Sequence, residues 1–468
     1  MPAPVPAPER LRRGIGRADA VALVVGSMIG SGIFIVSAES ARLVQSGTGL
    51  LAVWAAAGAL TLAGALSCAE LAAMLPKAGG QYVFFREAYG PLAGFLFGWA
   101  MLLVIQTGTI AAVAVAFAKF LGVLVPAVSG RPLLALGPLP LTASPIQLVA
   151  IAVIVLLTAS NTTGLAAGTL TQNVFTLAKF AALLALAGAG LWLGGGPGTA
   201  WSAGSDLRGP GGGLTGLALA AAFGAAMVGP LFSQSAWNNV TFAAEEVEDP
   251  GRTLPFALLW GCLAVTVLYL ATNAAYLRAL PLAEIAHAPE DRVGTAAARA
   301  LLGPGAAAAT AAAIMVSTFG CVNGLILSGA RVGFAMARDG LFFRRLARLN
   351  AASVPASALW LQAAWASVLV LSGTYSQLLR YVVSADILLY VLLVGAVIVL
   401  RRKHPGWPRP FRAPAYPWLQ LAYCAAALAL TATLLLGGFS SAWPGFAVLA
   451  AGVPAYFAWR RRAPAGGA

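Results

Sequence analysis

Gly26-Ser27-Met28-Ile29-Gly30-Ser31-Gly32-Ile33-Phe34 lies in the middle of an otherwise apolar stretch, Ala20 to Ala38. The stretch is long enough to cross a bilayer, which takes about 20 apolar residues. Its centre is a poor helix. Glycine costs a helix interior roughly 1 kcal/mol relative to alanine, and three glycines and two serines crowd together here. In hydrocarbon an unpaired backbone N–H or C=O is costly, so a broken helix is tolerated only where it lines a cavity or a ligand. A span built to come apart at mid-membrane points to a transport site.

The rest of the chain supports a membrane setting. Of 468 residues, 60% are hydrophobic and 9% charged, a balance that no soluble domain of this length carries. Scanning for apolar runs of membrane length gives twelve, with cores near 19–38, 48–75, 91–125, 145–163, 170–195, 214–240, 255–279, 304–335, 356–374, 377–400, 416–437 and 443–459. No room is left for a separate globular domain. The net charge of +14 invites a nucleic-acid partner, but its distribution excludes one. Lys and Arg alternate by loop, twenty on the side of the two termini and seven on the other. That is the positive-inside pattern, with N and C termini cytoplasmic in a multi-pass protein of the cell (plasma or inner) membrane. The basic tail could also hold anionic lipid. A cleaved leader is not expected, because the first apolar run is too long for a signal-peptide core and continues into a multi-span chain. Cys68, Cys262, Cys321 and Cys424 are scattered singly, without metal spacing, and read as core packing.

A second interruption lies in the sixth run. Phe232-Ser233-Gln234-Ser235-Ala236-Trp237-Asn238-Asn239 places five polar side chains in eight residues, and none of these can face lipid unpartnered. The two breaks are five spans apart. An odd offset inverts one half relative to the other across the membrane, which is the pattern of two inverted five-helix repeats holding a substrate between broken helices. Runs 11 and 12 fall outside the repeat. The competing reading of Gly26 and Gly30 is a Gly-x-x-x-Gly packing face, which the matching break in run 6 weakens.

These residues resemble a known family. Gly-Ser-x-Ile-Gly-Ser-Gly-Ile-Phe in span 1 is similar to the amino acid–polyamine–organocation transporters, nearest their L-type amino acid transporter branch. The likeness covers nearly the whole chain. Span 2 ends in Glu70-Leu-Ala-Ala-Met-Leu-Pro-Lys-Ala-Gly-Gly-Gln-Tyr82. Trp237-Asn238 leads into Glu245-Glu246 and Asp249-Pro250-Gly-Arg252-Thr-Leu-Pro255. Span 8 carries Phe319-Gly320-Cys-Val-Asn323-Gly324 and then Arg338-Asp339-Gly340, and the loop after span 10 has Pro405-Gly-Trp-Pro-Arg409-Pro-Phe-Arg412.

The resemblance implies an all-α membrane protein of twelve transmembrane helices, a LeuT-like 5+5 inverted repeat with helices 1 and 6 broken and two further C-terminal helices. The chain then divides into a tail over 1–17, repeats over 18–200 and 201–400, and a C-terminal part over 401–468. It implies amino acid transport by alternating access, with the substrate carboxylate on backbone N–H groups of Ser31, Gly32 and Ile33. A half-helix N-terminus suits that task, since it presents free N–H groups and a positive dipole end. The ammonium would take carbonyls near Met28, Phe232 and Ser235, with Asn238 beside them, and Phe232 matches the family's aromatic gate. Lys179 resembles the span 5 lysine of sodium-independent relatives, an internal cation bridging span 1 to span 8 near Asn323 or Ser317, with proton coupling as a further option. The chain departs from the branch at Gln234 and at Ser235-Ala236, where two glycines are usual.

Intramembrane charge is expensive and is read first as functional. Asp386 has no counterpart among the family features. It reads as a proton site, a contact for a basic substrate, the partner of an internal cation, or a carboxylate within reach of the outer surface. Lys119 reads as a solvated lysine at the outer end of span 3, and Glu70 as a structural or gating residue at the inner end of span 2. An enzyme has little to work with, since His287 and His404 both fall in loops and no metal or cofactor motif is present. Rings of charge or filter loops typical of a channel are not visible. The expected activity is sodium-independent exchange, or proton-coupled uptake, of neutral amino acids. The alternatives are a cationic amino acid or amine transporter using Asp386, and a transporter-like receptor.

Overall fold

The computed structural model describes residues 14–77, 79–131, 133–135, 142–163, 166–195, 216–352, 354–372 and 375–462, and within these the side chains of all but 134–135, 142, 166–174, 217, 375–376, 380–381, 384, 434–445 and 460–462. The tail up to residue 13, the 200/201 boundary between the expected repeats, and the side chains of Arg10, Arg12, Arg13, Arg208, Arg380 and Arg460 to Arg462 lie outside the described residues.

The described chain is helical apart from one two-residue antiparallel ladder, Leu134–Ala135 with Thr142–Ala143. Run 1 forms α1 (Arg17–Met28) and α2 (Gly32–Val44), bent by 43° at the glycine-serine break. Run 2 is α3 (Gly47–Met74), followed by the short α4 (Gln81–Tyr89). Run 3 is α5 (Pro91–Ala100), a π-helical turn at Met101–Ile105, and α6 (Gln106–Leu124). Runs 4 and 5 are α7 (Pro145–Asn161) and α8 (Ala166–Leu193). Run 6 is α9 (Gly216–Ser233), broken before the one-turn α10 (Asn239–Phe242). Run 7 is α11 (Pro250–Ala279), and two short helices, α12 (Leu282–Ala286) and α13 (Val293–Leu302), lead into α14 (Pro304–Arg338), which is run 8. Runs 9 and 10 are α15 (Ala356–Ser372) and α16 (Tyr375–Lys403).

Runs 11 and 12 both fall within α17 (Trp418–Arg462). Gln420 near its start donates to the Ser67 hydroxyl of α3 at 3.3 Å, and Trp459 near its end stacks on Phe342 with centroids 5.5 Å apart, so both ends of this stretch reach the face that bears Glu70 and Asp339.

Local chemistry explains where helices start and where they are irregular. Ser46 and Ser144 cap α3 and α7, their hydroxyls accepting from Gly49 N at 3.1 Å and Gln147 N at 3.4 Å. The π turn leaves the Leu102 carbonyl displaced, and the Thr107 hydroxyl donates to it at 2.8 Å. Pro230 inside α9 has no N–H for the Ala226 carbonyl; the Ser40 hydroxyl of α2 donates there instead, at 2.9 Å. Small residues set the close approaches. A Cβ on Gly229 would lie 2.6 Å from Val36, and one on Gly261 2.6 Å from Val24, so α2 packs directly on α9 and α1 on α11.

Among the described residues five helices are long and apolar enough to cross a membrane, and the bent pair α1–α2 makes a sixth span. Leu156, Leu177, Trp192 and Val267 leave large apolar side chains exposed on α7, α8 and α11, as a lipid-facing surface requires. The chain is a multi-pass membrane protein.

Candidate functional site

The end of α1 leaves its last carbonyls without intrahelical partners, and side chains from three other helices reach them. Lys179 of α8, buried, donates its ammonium to the Gly26 carbonyl and to the Ile29 carbonyl at 2.9 Å. Tyr269 of α11 donates its hydroxyl to the Met28 carbonyl at 2.9 Å. The Cys321 thiol of α14 faces the Ser27 carbonyl at 3.8 Å. Lys179 therefore sits on the broken span, as expected. It does not reach Asn323 or Ser317. Asn323 accepts from Asn161 of α7 at 2.7 Å, and the Ser317 hydroxyl is buried without a hydrogen-bond partner. Span 8 meets the break through Cys321, which lies one turn from Ser317 and two residues from Asn323.

Ser31, Gly32 and Ile33 are buried at the start of α2. Gly32 has a second task. A Cβ there would lie 2.0 Å from Ser233 Oγ and 3.0 Å from Ser233 Cα, so the two breaks touch at this pair.

The span 6 break runs from Gln234 to Asn238, with Ala236 at φ +65°. Here the chain turns left-handed without the glycine that the turn favours. The carbonyls expected to take a substrate ammonium are occupied in this conformation. The Phe232 carbonyl accepts from Ser235 N at 3.1 Å and Ser235 Oγ at 2.7 Å, and the Met28 carbonyl accepts from Gly30 N at 2.9 Å besides Tyr269. Two donors use both lone pairs of a carbonyl. Gln234, where the chain departs from the branch, adds hydrogen bonds. Its amide donates to the Trp54 carbonyl at 3.2 Å and accepts from the Thr266 hydroxyl at 3.0 Å, tying α3 to α11. Phe232 and Asn238 are buried beside the break.

Asp386 lies on α16, away from Lys179 and beside the span 6 break. A cavity of about 40 Å³ and a second of about 20 Å³ meet at Ser235, Asp386 and Tyr390. Tyr390, one turn along, lines both cavities beside Asp386, and its ring stacks on Trp237 with centroids 5.3 Å apart. Neither cavity is lined by Met28, Ser31, Gly32 or Lys179.

Both ends of the bundle are closed by polar clusters. On the face bearing Arg17, Ile15 pairs with Val247 as a one-residue β-bridge, Arg331 meets Glu246 at 3.2 Å, and Asp339 accepts from Arg86 and Tyr82 at 2.5 Å each. Burial, and then the bond to the Asp339 carboxylate, push the Tyr82 pKa up, so this hydroxyl stays a donor. On the opposite face Arg42 meets Asp291 at 2.8 Å. Lys119, read from sequence as solvated, is only 15% exposed and lies 4.0 Å from Glu290. It is docked on the α12–α13 connection.

One cluster was not legible as such in the sequence. Glu70, 1% exposed, takes the Arg401 guanidinium in a two-point contact at 2.8 and 2.6 Å and the Ala413 N–H at 2.7 Å. Arg409, 3.5 Å from the same carboxylate, also donates to the Leu400 and His404 carbonyls at the end of α16. The loop after span 10 is thus folded back as a plug on span 2. The Pro-Gly-Trp-Pro-Arg spacing was visible, but its partner lies more than three hundred residues away.

Fold and site together define a polytopic transporter whose buried centre is a pair of broken helices. The family model described as amino acid permease matches residues 15–456, and the chain belongs to that family, whose members are transporters rather than enzymes. It is similar to the serine/threonine exchanger SteT of Bacillus subtilis (strain 168), 30% identical over 97% of this chain and 98% of that protein. It is also similar to the human large neutral amino acids transporter small subunit 2, 30% identical over 96% of this chain and 80% of the relative. The human b(0,+)-type amino acid transporter 1 is 28% identical over 86% and 79%.

Proposed function

We propose that this chain moves neutral amino acids across the plasma membrane without sodium, by exchange or proton-coupled uptake, through alternating access of a LeuT-like 5+5 repeat. In this reading the repeats occupy 18–200 and 201–400, the two apolar runs within α17 complete twelve spans, and both termini are cytoplasmic. The amides of Ser31, Gly32 and Ile33 hold the substrate carboxylate. The carbonyls near Met28, Phe232 and Ser235, with Asn238 beside them, receive its ammonium once Ser235 leaves the Phe232 carbonyl and Tyr269 the Met28 carbonyl. Phe232 covers the substrate as the gate.

The observation that carries the reading is Lys179. Its ammonium lies on two carbonyls of the span 1 break, where a built-in cation takes the place of a bound one. The printed names of the relatives, a serine/threonine exchanger and a large neutral amino acids transporter, support a neutral substrate. Counterflow of each of the twenty amino acids into proteoliposomes, with and without sodium and a pH gradient, tests it. Small or large neutral amino acids are expected to exchange in sodium-free buffer. A strict sodium requirement, or no exchange of any amino acid, contradicts the reading.

A further inference from the structure

Asp386 is an acid with no base. Although it lies deep in the bundle, part of its surface stays open, onto the two cavities that meet there. The titratable groups facing it are Tyr390 on its own helix and Tyr423 on α17, with Cys68 of α3 beyond Tyr390. Among the described residues no Lys, Arg or His lines either cavity. A charge taken out of water without a partner is costly, and the group escapes by neutralising. A carboxylate does so by binding a proton.

The surroundings suit a hydrated acid better than a structural one. A cavity holds a water once it offers about 10–15 Å³ and two to four polar partners. Both cavities here exceed that volume, and Gln234, Ser235 and Thr61 border the first, Gln106, Thr109 and Asn238 the second. The Asn239 side-chain amide, 4% exposed, borders the second cavity with its Nδ2 unpartnered. A buried donor left unmade costs roughly 1–3 kcal/mol, and a water in that cavity supplies its acceptor.

The position also links the acid to the moving part. Ser235, whose hydroxyl must leave the Phe232 carbonyl for a substrate to bind there, lines both cavities, and Trp237 of the same break stacks on Tyr390. Rearrangement of the break therefore changes what surrounds Asp386. We propose that Asp386 is a proton-binding site served by water in these cavities, and that its protonation is coupled to opening and closing of the span 6 break. This rests on the transport reading above and makes it proton-coupled. In the step, a hydronium ion breaks one O–H bond as one forms on a carboxylate oxygen of Asp386, leaving neutral water. On the other side of the membrane the reverse transfer returns the proton to solvent.

The test uses the full chain in proteoliposomes loaded with a pH-sensitive dye. Addition of a transported neutral amino acid outside is expected to acidify the lumen, and an inward proton gradient to raise its uptake at least 5-fold. Asp386→Asn, checked for a monodisperse folded peak, is expected to retain measurable counterflow and to lose both the acidification and the gradient response. Tyr390→Phe keeps the ring on Trp237 and removes the hydroxyl at the meeting of the two cavities; it is expected to keep the acidification and the gradient response, and loss of both with counterflow intact would move the proton site off Asp386 and overturn the inference. Counterflow without acidification in the wild type, or a gradient response surviving in Asp386→Asn, overturns the inference while leaving transport standing. Selective loss of cationic amino acid uptake in Asp386→Asn, with the proton signal intact, places the carboxylate on substrate and overturns it too. Absence of counterflow of any amino acid in the wild type removes the transport reading itself.

Discussion

At the span 1 break the carbonyls of Gly26, Ile29 and Met28 take hydrogens from Lys179 and Tyr269, side chains of α8 and α11. At the span 6 break the carbonyls of Phe232 and Asn238 take theirs from Ser235 and Thr241, within the same segment. Span 1 uses glycine where it bends, while span 6 bends through Ala236 at φ +65°. The first break is thus held open by its neighbours and depends on how they are placed. The second caps its own carbonyls, and its neighbours hold it through the side chains of Gln234 and Trp237. Such a division suits a machine in which span 1 is the anchored half of the site and span 6 the half that adjusts.

Substitutions that remove the caps separate the two most sharply. Lys179→Ala leaves two buried carbonyls without donors, at roughly 1–3 kcal/mol each, so counterflow is expected to fall on the order of 100-fold. Thr241→Val removes one of two donors from Asn238, which keeps the Thr241 N–H at 2.8 Å. Its loss is expected to stay below about 5-fold, the worth of a single hydrogen bond. Equal losses in the two variants would erase the distinction between a borrowed cap and a self-made one.

Contact between the breaks comes next. Gly32→Ala sets a Cβ 2.0 Å from Ser233 Oγ, and overpacking of this kind costs about 1–3 kcal/mol, which is on the order of 10-fold in exchange rate. Gly32→Ala with Ser233→Gly is expected to recover part of that rate, because two of the three nearest atoms belong to the Ser233 side chain. A double variant no better than Gly32→Ala would locate the damage in the N–H groups of α2 instead.

Most of the scaffold was legible from composition, because apolar runs long enough to span must be helices in lipid. Ten of the twelve runs became helices near their expected bounds. The breaks were legible because two clusters of glycine, serine and asparagine fall at mid-span five runs apart, which a packing face for Gly26 and Gly30 alone does not explain. The Lys179 ammonium lies on the span 1 break, while span 8 meets that break through Cys321, since helix rotation cannot be read from a lone chain. That Gln234 adds hydrogen bonds, to Trp54 and from Thr266, could not be given partners from the sequence, because they lie on spans 2 and 7. The Glu70 plug and the Asp386 cavities were hidden for the same reason: they exist only where distant segments meet.

The smallest effect expected is a gain. An L-residue in the left-handed region carries about 1–2 kcal/mol of strain, partly offset by the extra entropy of an unfolded glycine. Ala236→Gly is therefore expected to stabilise the protein by about 0.5–1 kcal/mol, raising Tm by about 1–2 °C in detergent. The equivalent exchange in span 1, Gly30→Ala, brings a Cβ within 3.3 Å of Cys321 Sγ and is expected to lower Tm. A gain in both or a loss in both would mean that the breaks are not built differently.

The central claim is that the start of α2 reads the carboxylate of an amino acid. Competition against counterflow of a radiolabelled neutral amino acid tests it most directly, using excess of that amino acid, its methyl ester and the amine that lacks the carboxyl group. The free amino acid is expected to abolish the signal, and the ester and the amine to leave it within a factor of two. An amine that competes as well as its parent amino acid would contradict the assignment of Ser31, Gly32 and Ile33.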